Sequence, residues 1–148
     1  NEENYPHKLL HSAIESAKGT VAKKLGLKPN ERVFKIHRIK IDNNEPMALE
    51  YSYLVHDRCP NFSPSLIEDK LIYNVMKKYC GVQLEKTKIY FSTKVADQYE
   101  ADMLNVEKGM SLIVLERTTY LSQNQPVEYS KFIVRQDKAD YYLEVNLK

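Results

Sequence analysis

Five charged side chains recur in an order that could hold a small polar molecule. The stretch "RIKIDNNEPMALEYS", residues 38–52, opens on Arg38, carries Lys40 two positions on, turns through Asn and Pro, and closes on Glu50-Tyr51-Ser52. The stretch "RTTYLSQNQPVEYS", residues 117–130, repeats the plan from Arg117 to Glu128-Tyr129-Ser130. Arginine and lysine recognise anionic groups, and the arginine fork matches a carboxylate or phosphate in two places at once. Glutamate accepts hydrogen bonds from hydroxyls and amines. Together they suit a ligand with one anionic end and several polar substituents.

Such side chains act together only if the backbone gathers them. Both stretches are rich in β-branched and aromatic residues and read as hairpins. Strand side chains alternate, so Phe34, Ile36, Arg38 and Lys40 share a face, and Ile39 and Ile41 take the other. A face that mixes apolar and basic residues fits a pocket with an apolar floor and a cationic mouth. A three-residue loop at Asn43-Asn44-Glu45 would pair Asp42 with Pro46 and set Arg38 opposite Glu50 and Lys40 opposite Ala48. A two-residue loop would bring Leu49 opposite Arg38, so the charge pairing favours the longer one. In the second hairpin, a four-residue loop over 121–124 would set Glu128 opposite Arg117. From spacing alone the more ordinary outcome is two cross-strand ion pairs on a solvated sheet, worth about 0.2–1 kcal/mol each.

The remaining elements follow from pattern. "HKLLHSAIESAKG" fits a strand or a short helix. "TVAKKLGLKPNE" reads as a helix with Thr20 as N-cap and Gly26 as its left-handed stop. Leu71, Ile72, Val75, Met76 and Tyr79 recur at helical spacing, with Ser65 or Asp69 as N-cap and Gly81 as a stop. "KTKIYFST" reads as a strand, Thr93 as the cap of a helix over 94–106, and 111–121, 126–136 and 141–148 as further strands. About six strands, mostly joined by hairpins, with two or three helices between them, predict an α+β fold: an antiparallel sheet with helices on one face.

Length and composition set the bounds. At 148 residues the chain reads as one domain spanning 1–148. A chain of this size buries roughly two-thirds of its extended surface, so it needs no disulfide or metal to fold. A net charge of +2 is too small for a dedicated nucleic-acid surface. Cys59 and Cys80 sit in no metal or redox spacing, which suits a reducing cytosol. No apolar run approaches the roughly 20 residues of a membrane span. His7 and His11 stand four apart but lack the glutamate of a zinc-protease motif, and His37 and His56 are expected to be solvated or capping. The 4 glycines form no phosphate loop, and no nucleophile elbow or acid–base pair stands out. No cofactor, metal or catalytic residue is expected.

In order along the chain, "VAKKLGLKPNERVFKIHRIKIDNNEPMALEYSYL", a helix carrying "LIYNVMKKYCG", and "ADQYEADMLNVEKGMSLIVLERTTYLSQNQPVEYSKFIVRQD" resemble the UTRA domain. This is the effector-binding module of the HutC subfamily of GntR-type bacterial transcription regulators. The resemblance covers about residues 18–147. It implies a chorismate lyase-like fold, homodimerisation, a cytoplasmic protein, and a small-molecule effector such as a sugar phosphate or amino sugar. It also implies that DNA is bound only through an N-terminal winged-helix domain outside this chain, which the absent initiator Met fits. A chorismate lyase-like enzyme on the same fold is the alternative.

The resemblance carries over residue by residue. Arg38 matches the first arginine of the family's Arg-x-Arg, whose side chains hold an anion, and Lys40 replaces the second. Glu50 and Glu128 match acidic positions on the two returning strands, with Tyr129 adjacent. Tyr73 matches the end of a Ser-Leu-Tyr motif, whose serine is Leu71 here, and Lys70 stands beside it as a substitute contact. The resemblance gives Arg117 a structural role. If Arg38, Lys40, Glu50 and Tyr73 share one pocket, Arg38→Ala is expected to weaken an anionic effector by roughly 1.5–3 kcal/mol and to leave the fold intact.

Overall fold

The computed structural model describes residues 7–67, 71–79 and 83–137. Six antiparallel strands form one sheet in the order β1-β2-β3-β6-β5-β4. They are β1 (His7–Ser16), β2 (Arg32–Asp42), β3 (Glu45–Val55), β4 (Leu84–Val95), β5 (Ser111–Leu121) and β6 (Gln125–Arg135). Three helices accompany them: α1 (Gly19–Leu25), α2 (Ile72–Tyr79) and α3 (Gln98–Leu104). This is the expected α+β architecture. The ambiguous N-terminal segment is β1, a strand paired with β2 and bulged between Leu9 and His11. Lys70, Gly81 and the strand expected over 141–148 lie outside the described residues.

Two helix starts differ from expectation. Helix α1 begins two residues earlier than a Thr20 cap allows, with Lys18 at the cap position, and Gly26 ends it at φ 62°. Strand β4 runs through Thr93 to Val95, and Asp97 caps α3. Asp97 accepts from the Glu100 N–H at 2.8 Å, and Glu100 accepts from the Asp97 N–H at 2.9 Å. Two backbone donors are satisfied by one reciprocal pair, which the Thr93 hydroxyl alone could not match.

Hairpin geometry sets the register. The β2–β3 turn is the two-residue Asn43-Asn44, both left-handed at φ 50° and 64°. Asparagine tolerates that conformation, and two such residues match the twist of the flanking strands. A bulge after Lys40 leaves Met47 unpaired, so Arg38 still faces Glu50 and Lys40 faces Ala48. The expected pairing thus arises from a shorter turn plus a bulge. In the second hairpin Leu121 pairs with Gln125 across a loop one residue shorter than expected, and a bulge falls at Val127. Arg117 therefore faces Ser130, and Glu128 faces Thr119, two positions from the expected register.

The sheet is covered on both sides. Phe34, Ile36, Leu54 and Val127 pack under Cys59, Phe62, Ile67 and the α2 residues Ile72, Val75 and Met76. On the other face, Ile39, Leu49, Leu112 and Ile133 meet Ala101 and Leu104 of α3. Val33, Val55 and Tyr129 meet Leu25 of α1. Helices α1 and α3 thus share one face and α2 lies on the other, instead of all three gathering on one face as expected, because β2 and β3 carry apolar residues on both sides. Each fully buried leucine or isoleucine contributes about 1.5–3 kcal/mol. A charged group at the middle of such a sheet is shut off from water.

Candidate functional site

Under α2, the apolar floor gives way to a continuous polar row across the sheet. At one end, Arg38 directs Nε and Nη2 to one oxygen of Glu50, at 3.0 and 2.7 Å, and Nη1 to the Ile67 carbonyl at 3.3 Å. The other Glu50 oxygen accepts from the Ser52 hydroxyl at 2.6 Å. Ser52 and Ser130 stand 2.7 Å apart, and Ser130 donates to Glu128. Glu128 also accepts from Thr119 at 2.6 Å, and Thr119 meets Thr87 at 2.8 Å. Arg117 closes the row, with Nη2 at 2.7 Å and Nε at 3.1 Å from one Glu128 oxygen.

The row is buried. Arg38 is 1% exposed, Glu50 2%, and Ser52, Ser130 and Glu128 0%. This removes the surface ion-pair reading. Buried ions stay charged only where partners replace their water, and each carboxylate here has an arginine and hydroxyls. Arg117 is the more open end, with 21% of its side chain exposed. Burial opposes its charge, but the Glu128 carboxylate outweighs this and holds the guanidinium above its ordinary pKa. Each serine carries a single hydrogen. With those hydrogens given to Glu50 and Glu128, none remains for the Ser52–Ser130 contact. Three close oxygen contacts share two hydroxyl hydrogens, so Ser130 can serve either Ser52 or Glu128, which also accepts from Arg117 and Thr119.

Of the residues expected at a site, Arg38, Glu50 and Glu128 join this row. Lys40 is half-buried on the same face of β2 as Arg38, two residues from it. Tyr73 packs beside the α2 core, and Lys77 stands 5.6 Å above its ring. Lys70 lies outside the described residues. Tyr129 does not join: alternation turns it to the α1 face, where its hydroxyl donates to Glu116 at 2.5 Å and its ring stacks on Tyr53. Burial and the Glu116 carboxylate push its phenol pKa up. Ser52, Ser130, Thr87 and Thr119 were missed. The two serines were legible in principle, since each closes a Glu-Tyr-Ser triplet and shares a strand face with its glutamate.

His37 also departs from expectation. It is buried, behind Glu50 on the α3 face. The Glu50 carbonyl lies 3.0 Å from Nδ1 and can only accept, which assigns the ring hydrogen to Nδ1. Nε2 then accepts from the Tyr99 hydroxyl at 2.8 Å. Tyr51 stacks on the ring at 4.2 Å. Burial holds the imidazole pKa below 6.5. A cavity of about 220 Å³ lies apart from the row, lined by Lys8, Leu10, Ile39, Ile41, Asn44, Pro46 and Met103. Among the described residues no group of His, Cys, Asp and Glu could hold a metal ion.

The UTRA domain family matches residues 2–140, nearly the whole chain. This chain belongs to the UTRA domain family. Its sequence is 27% identical to the HTH-type transcriptional repressor NagR of Bacillus subtilis over 117 residues, 79% of this chain and 48% of NagR. In fold it matches the crystal structure of YydK from the same species with a TM-score of 0.88 at 17% identity, over 98% of this chain and 63% of that one. The ligand-binding domain of a GntR-family regulator from Bordetella bronchiseptica matches with a TM-score of 0.84 at 21% identity, over 99% of this chain and 93% of that one. The UTRA chain spans about half the length of the curated relatives it matches.

Proposed function

We propose that this chain is the effector-sensing and dimerisation domain of a cytoplasmic bacterial transcription regulator of the GntR/HutC type. A small polar metabolite, a sugar phosphate, amino sugar or similar anion, binds along the Arg38–Glu128 row and modulates DNA binding by a separate N-terminal domain. The observation that carries this reading is the row itself. Two ion pairs and the hydroxyls of Ser52, Ser130 and Thr119 are gathered in the core where leucines would be at least as stable. Ligand hydroxyls or an amine supply donors to Glu50 and Glu128. Arg38 and Lys40, with Tyr73 at the α2 side and Lys70 three residues before it in sequence, take the anionic end. Binding regulates only if the ligand prefers one arrangement of the dimer, because equal affinity shifts nothing. The naming of the relatives as transcriptional regulators supports this reading over an enzyme of the same fold.

A thermal-shift panel of hexose phosphates, amino sugars and their phosphates tests it. A ligand at a hundred times its dissociation constant stabilises the fold by about 2.7 kcal/mol. The expected result is a shift in the parent chain that is lost in Glu128→Gln. If no compound shifts the parent, or the shift survives intact in Glu128→Gln, the reading fails. Sedimentation at tens of micromolar is expected to show a dimer, the range being roughly where weak association is still seen.

A further inference from the structure

His37 stands directly behind the polar row. It precedes Arg38 on β2, and its cross-strand neighbour Tyr51 follows Glu50 on β3. Its Nδ1–H holds the main-chain carbonyl of the residue whose carboxylate forms one end of the row. Its other nitrogen holds Tyr99, the second residue of α3. Tyr99 remains 46% exposed, so this contact runs from the buried row to the outer layer of the molecule. Helix α3 is otherwise anchored by Ala101 and Leu104 in the core and by the Lys94–Glu100 pair at 2.6 Å.

We propose that His37 is a coupling residue that ties the state of the Arg38–Glu50 pair on one face of the sheet to helix α3 on the other. The purpose of the coupling rests on the reading of the row as an effector site, although the geometry does not. The Glu50 carbonyl that orients the imidazole belongs to the residue whose carboxylate meets Ser52, so a β3 main-chain shift that accompanies a change at the carboxylate reaches the ring. The ring is held by two directional bonds and one stacking contact, so a displacement of the carbonyl is passed on to it. When it turns, Nε2 leaves the Tyr99 hydroxyl. The charged and titratable groups facing the ring are Lys35 on its own strand, His11 on β1, Glu50 and Tyr51 on β3, and Tyr99 on α3. Asp97 and Glu100 of α3 act on Tyr51 beyond it. Protonating His37 puts a hydrogen on Nε2, so the Tyr99 hydroxyl accepts from the ring instead of donating to it. Acid therefore reverses the link on the α3 side and leaves the Glu50 side intact.

The test needs no ligand. Chain labelled with ¹⁵N-histidine is examined at pH 8, and amide hydrogen exchange of residues 98–104 is followed in the parent, Ser52→Ala, Tyr99→Phe and the double variant. We expect the His37 hydrogen on Nδ1. We expect Ser52→Ala to shift the His37 nitrogen resonances and to speed α3 exchange by about threefold or more, the scale of coupling between residues in one network. In the Tyr99→Phe background the same substitution leaves α3 exchange unchanged. Glu50→Gln carries the same test if Ser52→Ala fails to fold. A hydrogen on Nε2, parental α3 exchange in Ser52→Ala, or additive effects in the double variant each overturn the proposal. Effector binding is read separately by the thermal-shift panel, so a row that binds nothing and a histidine that couples nothing give different results.

Discussion

Ser52 and Ser130 face each other across the β3–β6 pairing with 2.7 Å between their hydroxyl oxygens. Each ends a Glu-Tyr-Ser triplet. Alternation places the glutamate and serine of a triplet on one face and the tyrosine on the other. Antiparallel pairing of the two triplets through their serines then lines up Glu50, Ser52, Ser130 and Glu128. The repeated triplet therefore builds one site from two hairpins.

The serine pair is expected to behave as a unit. In a double-mutant cycle of Ser52→Ala and Ser130→Ala, urea unfolding should report a coupling of about 0.5–3 kcal/mol. Simple additivity would show that the two hydroxyls act independently.

Arg38 is a different matter from a surface charge. With Arg38 at 1% and Glu50 at 3% side-chain exposure, Arg38→Ala leaves a buried carboxylate unpaired. The expected loss is about 3–5 kcal/mol, so the fold is not left intact as expected from the sequence. Replacing both partners, Arg38→Met with Glu50→Leu, should recover most of that loss, because no uncompensated charge remains. Denaturant midpoints of the two variants decide it.

Stability should fall in mild acid through His37. Burial lowers its folded pKa below the ordinary 6.5, so the unfolded chain binds the proton more readily. The contribution is present in full above about pH 6.5 and is lost as pH drops below it. His37→Gln should flatten this part of the profile. Unfolding free energies from pH 8 to 5 in both proteins measure the difference, and identical slopes would refute it.

The Asn43-Asn44 turn sets the register that brings Arg38 opposite Glu50. Both residues sit at positive φ. Asn44→Val places a β-branched side chain in the left-handed region and should cost about 1–2 kcal/mol. Asn44→Gly should be neutral or stabilising. Thermal midpoints of both variants test the ordering.

The sequence by itself determined the elements and the chemistry. Period-two alternation marked β2, β3, β5 and β6, helical spacing marked α2, and turn residues marked both hairpins. Arg38, Glu50 and Glu128 were legible because charged residues on otherwise apolar strands are rare, and because the same order of residues occurs twice. What the tertiary structure decided is what those residues meet. Whether an Arg–Glu pair is solvated or buried depends on what covers the strand, and α2 with the 56–67 segment comes from elsewhere in the chain. The pairing of β3 with β6 joins residues 78 apart, which no local pattern encodes. The shorter loop and the bulge at Val127 together moved Arg117 opposite Ser130 while a diagonal reach kept its bond to Glu128. His37 was misread for the same reason: its partners Glu50 and Tyr99 are distant in sequence, and only the folded sheet with α3 laid across it removes the imidazole from water.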